Sequence, residues 1–181
     1  MDIARENLLH DHRDIQSMLN VLERICLLIN SGEAPDLVDI TRIIYFLRIF
    51  ADECHNGKEE KILFPVLEKA CSGRHREQIG KLLSDHKTER ELIATMQNSI
   101  LGDSLEIGTF EKSSLAYVKL LRDHIDKENS ILDTSGCPEL TKKKQLDLHD
   151  RMLAFENKVI GFDYHLVYHL MLDKLGKQYL T

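Results

Sequence analysis

The sequence predicts an all-α chain, an up-down-up-down four-helix bundle followed by two additional C-terminal helices. Three observations carry this reading. Only three prolines and nine glycines punctuate 181 residues, and they cluster between long segments with an apolar period near 3.6. Strand-like alternation is nearly absent. The chain also echoes itself: His55-Asn-Gly-Lys-Glu59-Glu-Lys-Ile-Leu63 and His124-Ile-Asp-Lys-Glu128-Asn-Ser-Ile-Leu132 both read H-x-x-K-E-x-x-I-L. Asp11-His12 precedes the first and Asp85-His86 the second, so a helix pair is duplicated.

Helix 1 is expected to start after Asp2, a good N-cap, and to run to about Asn30, where Ser31 to Pro35 breaks it. Its inner stripe is Leu8, His12, Ile15, Leu19, Leu22, Cys26 and Ile29, stepping by fours and threes. His10 lies off that stripe. Helix 2 is expected from Asp36 or Leu37 to about Ala70, with the stripe Ile44, Leu47, Ala51, His55, Glu59, Ile62 and Val66. Pro65 is expected to kink or end it, and the Cys71-Ser72-Gly73 turn to close it. Helix 3, about Arg74 to Leu101, shows Ile79, Leu82, His86, Glu89, Ile93, Met96 and Ile100. Helix 4, about Leu105 to Asp133, shows Phe110, Ser114, Tyr117, Leu121, His124, Glu128 and Ile131, and Ser135 to Pro138 stops it.

Residues 1–134 thus form the bundle and 138–181 a C-terminal extension. The extension reads as helices Leu140 to Ile160 and Phe162 to Leu180, hinged at Gly161. Their apolar positions, among them Leu146, Met152, Leu153, Leu166, Leu170 and Leu175, need a cover, so they are expected to cap the bundle or form a homodimer contact.

With 43% hydrophobic and 30% charged residues the composition is that of a globular protein, and a net charge of -6 offers no broad basic surface to nucleic acid. Four cysteines without a close-spaced pair read as reduced thiols. The N-terminus turns acidic and amphipathic at once, and no apolar run is long enough to span a bilayer, so a cytoplasmic protein with no membrane contact is expected.

Each histidine and carboxylate of the H-x-x-K-E repeat share one helix face and reach one point. Two inward Glu and four inward His demand buried positive charge, since a bare carboxylate in low dielectric is too costly. Lys58 and Lys127 lie off the inner stripes, so a pair of metal ions is the expected source. The alternative is a protonated His and Glu hydrogen-bond network. Asp11, Asp85 and Asp123 each precede a candidate ligand and point away from it, as supporting or surface groups.

These residues resemble the hemerythrin HHE cation-binding family over about Glu6 to Leu132. The resemblance rests on Asp11-His12, the run Cys54-His55-Asn-Gly-Lys-Glu59-Glu-Lys-Ile-Leu-Phe-Pro65, Asp85-His86, and His124-Ile-Asp-Lys-Glu128. It implies a non-haem di-iron centre, two iron ions held by His12, His55, Glu59, His86, His124 and Glu128, with the two carboxylates bridging. Oxygen-carrying members have a further histidine where this chain has Arg90. That coordination place is then open, filled by water, or filled by Glu89, which is turned inward. An open place admits oxygen, nitric oxide, peroxide or exchangeable iron. Tyr117, on the His124 stripe, either lines this pocket or is core.

Three functions fit. The chain binds such a small ligand or handles iron; or it is a di-iron redox enzyme that reduces peroxide or repairs iron-sulfur clusters; or it senses iron or oxygen through its C-terminal helices. His165 and His169, one turn apart, read as a solvated or interface pair, with a second, surface metal pair as the alternative.

Overall fold

The computed structural model describes the backbone of residues 3–34, 36–70, 73–133, 141–161 and 164–180, with side chains for all of these except 74, 132, 133, 164 and 165. The expected cap at Asp2, Pro35, the turn at Cys71-Ser72, the stop at Ser135 to Pro138, the starts at Leu140 and Phe162, and the side chain of His165 lie outside the described residues. The rest is helical almost throughout: α1 (Ile3–Asn30), α2 (residues 37–70), α3 (Gly73–Asn98), α4 (Ile107–Asp133), α5 (Lys142–Val159) and α6 (Tyr164–Tyr179).

Asp36 caps α2, accepting from the Val38 amide at 2.7 Å and the Asp39 amide at 3.4 Å. The helix is α-form over Leu37–Phe46 and Phe64–Ala70, but winds as π-helix over Leu47–Asn56 and Glu59–Leu63. Pro65 does not end it. The amide of Phe64 already donates five residues back to the Glu59 carbonyl, so the wide turn slips the ladder just where proline supplies no donor.

The boundary after α3 differs from expectation. The helix stops at Asn98, and Ile100–Leu101 pairs antiparallel with Ser104–Leu105. Gly102, at φ +60°, supplies the left-handed residue that such a two-residue hairpin turn requires. Ser99 closes the helix end: its hydroxyl donates to the Met96 carbonyl at 2.6 Å and its own carbonyl accepts from the Glu106 amide at 2.8 Å.

The predicted stripe of α1 is buried along its whole length. A second row, including Met18, Val21 and Ile25, is buried with it, as a helix packed against α4, α5 and α6 must be. The core falls into two apolar clusters. One holds Ile15 to Ile29, Ile40 to Cys54, Ile93, Met96 and Phe110 to Ile125; the other holds Ala4, Leu8, Ile62 to Phe64, Ile79, Leu82, Ile131, Leu148 and Met152. In each of α1 to α4 the polar residues His12, His55 and Glu59, His86 and Glu89, or His124 and Glu128 fall where the chain passes from one cluster to the other. The order of passage reverses from each helix to the next.

The C-terminal helices lie on this body. Tyr168 meets the rings of Phe46 and Phe50 at 5.6 and 5.5 Å, and those two rings stack at 4.9 Å. Gln178 and the Tyr179 hydroxyl donate to Asp39 at 2.9 and 3.0 Å. Gly161, at φ +79°, makes the left-handed break after α5. Met152 and Leu175 are buried, whereas Leu146, Leu153, Leu166 and Leu170 stay exposed. Among the described residues no helix is long and apolar enough to cross a membrane.

Phe46 joins α2 to α6 from a fully buried position, so Phe46→Ala is expected to cost about 3–5 kcal/mol, read as a shifted midpoint in urea denaturation.

Candidate metal centre

Four imidazoles and two carboxylates converge between the apolar clusters. His12, His55, Glu59, His86, His124 and Glu128 are all at most 2% exposed. One ligand atom from each of His12, His55, Glu59 and Glu128 lies within 4.8 Å of the others, and the same holds for Glu59, His86, His124 and Glu128. The glutamates belong to both groups. Glu59 Oε1 is 3.7 Å from His55 Nε2 while its Oε2 is 3.4 Å from His86 Nε2. Glu128 Oε1 is 2.8 Å from His124 Nε2 while its Oε2 is 3.2 Å from His12 Nε2. Each duplicated half therefore gives both its histidines to one group, and the two glutamates are shared between the groups.

Each of these four histidines turns Nε2 inward and Nδ1 outward. His55 Nδ1 donates to Asp11 Oδ2 at 3.0 Å, His12 Nδ1 to Asn129 Oδ1 at 2.9 Å, and His86 Nδ1 to Glu60 Oε1 at 2.8 Å. His124 Nδ1 faces Asp85 Oδ2 at the longer 3.4 Å. An oxygen of this kind only accepts, so the hydrogen is assigned to Nδ1 and a bare lone pair points into the centre. His86 Nε2 and His124 Nε2 then face each other at 3.1 Å, which is repulsive unless a proton or cation lies between. The Nε2 atoms of His12 and His55 and both oxygens of Glu59 and of Glu128 are buried without a hydrogen-bond partner. Orphaned donors of this chemistry, aimed at common points, fit bound cations.

The aspartates and lysines of the repeat find roles as well. Lys58 Nζ binds Asp11 at 2.6 Å, and Lys127 Nζ binds Asp85 at 2.8 Å. In each half the aspartate of Asp-His thus supports the histidine of the following H-x-x-K-E run, and the lysine of that run holds the aspartate. The two halves differ in cover. Lys127 is half exposed, but Lys58, expected only to lie off the stripe, is wholly buried, because α5 brings Glu156 to 2.8 Å and α1 brings Asn7 to 2.9 Å. Asp123 is an exposed group paired with Lys119.

Arg90 turns away from the centre, binding Asp52 at 2.7 Å and Glu60 at 2.6 Å, and so steadies the carboxylate that receives His86. Glu89 is buried and accepts from Asn56 at 3.0 Å, with its other oxygen 3.7 Å from His124 Nδ1. It stands in neither converging group. Tyr117 is buried in the larger apolar cluster, where burial, Glu89 and Asp52 raise its hydroxyl well above the ordinary range. Phe64 stacks over His86 at 5.9 Å. Burial pushes the Cys54 thiol up to about 12, which keeps it protonated. The supporting residues Asn56, Lys58, Glu60, Asn129 and Glu156 were not legible as such, although the lysine repeated in both halves was a signal.

Burial and the neighbouring Glu128 both raise Glu59. Burial acts the same way on Glu128, but His124 and His12 outweigh it and hold Glu128 well below the usual carboxylate range. Burial opposes charging of His124, yet Glu128, Glu89 and Glu59 push it up to about 10. His12 and His86 rise for similar reasons. A centre without cations therefore holds protons instead, and cations must displace them. A histidine raised from 6.5 to about 10 stabilises the fold fully below pH 6.5 and loses that contribution as pH climbs to 10. The metal-stripped chain is expected to show a melting temperature that falls across this window, with a flatter profile in His124→Gln, measured by thermal denaturation at stepped pH.

The family model described as the hemerythrin HHE cation binding domain matches residues 4–132. No curated protein and no solved structure matches the chain. The match spans α1 to α4 and takes in all six converging residues, so the chain belongs to the hemerythrin HHE cation-binding family.

Proposed function

We propose that this chain holds a non-haem di-iron centre, His12 and His55 serving one ion, His86 and His124 the other, with Glu59 and Glu128 bridging both. The observation that carries the reading is the sharing of both glutamates between the two groups of donors. Six imidazole and carboxylate donors with two carboxylates shared between paired ions suit iron better than a closed four-coordinate zinc site or an all-oxygen calcium site. When bound, such a pair supplies electron transfer and coordination of oxygen, nitric oxide or peroxide. The chain's own residues orient the ligands: Asp11, Asn129, Glu60 and Asp85 fix the imidazoles. Glu89, buried beside His124 with an oxygen 3.7 Å from its outward Nδ1, would guard the coordination place left by Arg90, and would fill it only by turning toward the centre. The reversing order of the two apolar clusters along α1 to α4 supports an up-down-up-down bundle. A cytoplasmic setting and homodimer contacts through the exposed Leu166 and Leu170 belong to the same proposal.

Metal analysis of purified protein is expected to give about two irons per chain, with visible bands that change on adding oxygen, nitric oxide or peroxide. His55→Ala and Glu128→Ala should each lose metal and bands; unchanged iron content in both would overturn the assignment.

A second reading, a sensor that acts through the C-terminal helices, is favoured by one observation. Asp11 supports His55, Lys58 binds Asp11, and Glu156 of α5 binds Lys58, so a continuous ionic chain runs from the centre to the extension. Iron removal is then expected to speed hydrogen exchange in residues 141–180. Glu156→Gln should abolish that dependence while leaving iron content unchanged, and exchange indifferent to iron in the wild type would dismiss the sensor.

A further inference from the structure

Away from the buried centre, three more donors converge at the surface. His10 and Asp14 stand one turn apart on α1 and His169 reaches them from α6, with one ligand atom of each within 4.8 Å of the others. Asp14 Oδ2 lies 3.4 Å from His10 Nδ1 and 3.7 Å from His169 Nδ1. The two imidazoles meet edge to face, their centroids 5.4 Å apart and their planes at 86°.

These separations are informative. They exceed the roughly 2.7–3.2 Å of an N–H···O hydrogen bond. One falls within and the other just above the roughly 3.3–3.6 Å that separates donors on a tetrahedron around an ion whose bonds to nitrogen and oxygen are about 2.0–2.2 Å. The placement is also built into the fold. Tyr168, next to His169, packs edge-on against the stacked rings of Phe46 and Phe50, which fixes the rotation of α6 and presents His169 to α1. His10 and Asp14 repeat at i and i+4 the histidine-carboxylate spacing that His55 and Glu59 use in the interior.

We propose that His10, Asp14 and His169 form a second, surface site for a divalent transition-metal ion of the zinc class, water completing its coordination, which pins α6 to α1. Two imidazoles and one carboxylate make a neutralising, borderline-soft donor set for such an ion. The side chains are 48%, 17% and 43% exposed, so the remaining coordination place faces solvent and the ion exchanges freely. Nothing in this site depends on what fills the buried centre, since His10 points outward where His12 points in.

The test counts zinc bound at equilibrium by the full chain, in wild type, His10→Ala and His169→Ala, with iron assayed in the same samples. Each variant is expected to bind one zinc fewer than wild type at unchanged iron content. Saturating zinc should raise the wild-type melting temperature by about 5 °C and leave both variants where they were. Equal zinc uptake in wild type and variants overturns the proposal, as does a loss of zinc matched by a loss of iron. Asp14→Asn, which keeps shape and removes the charge, gives the same reading if an alanine variant misfolds.

Discussion

Two carboxylates, Glu59 and Glu128, are buried face to face in the middle of the molecule, and much of the surrounding structure answers to that repulsion. Their four oxygens have no hydrogen-bond partner, and the imidazole nitrogens nearest them present lone pairs. Low dielectric magnifies the conflict, so positive charge must enter, as protons on His124 and its neighbours or as bound cations. The apolar clusters on either side exclude water from the layer and so keep that requirement strict.

The duplication explains how the layer is held. Asp11 with His55 and Lys58, and Asp85 with His124 and Lys127, are the same three-residue device used twice. Lys58 offsets the charge of Asp11, which would otherwise be a further buried anion, and Lys127 that of the partly exposed Asp85. The copies have diverged in their surroundings. Lys127 still reaches solvent, whereas Lys58 has been roofed by α5 and needs Glu156 and Asn7 to satisfy its ammonium. The first half of the centre is therefore tied to the C-terminal helices in a way that the second is not.

The helix that carries His55 and Glu59 is also the least regular. Its π-helical turns coincide with those two residues and with an unbroken buried run from Cys54 to Glu59. An α-helix covered on one face buries about half of such a run; this one is packed on both sides, by the centre within and by α5 without. Gly57 marks how close that outer contact is, since a Cβ there would lie 2.9 Å from the ring of Phe155.

The helical stripes were legible because a buried face must recur every three or four residues, and Leu8 to Ile29 or Phe110 to Ile131 follow that rule strictly. The histidines and glutamates stood in those stripes at apolar positions, so their convergence could be anticipated, and with it the demand for positive charge. Local sequence does not encode which neighbour a side chain meets across a helix interface. That Lys58 is buried and that His169 meets Asp14 were decided by the packing of α5 and α6 against the bundle, and that Arg90 leaves the centre to hold Glu60 by the packing of α3 against α2. Periodicity determined which face of each helix turns inward; tertiary contact alone determined what stands behind it, because those partners lie from 30 to 155 residues apart in the chain.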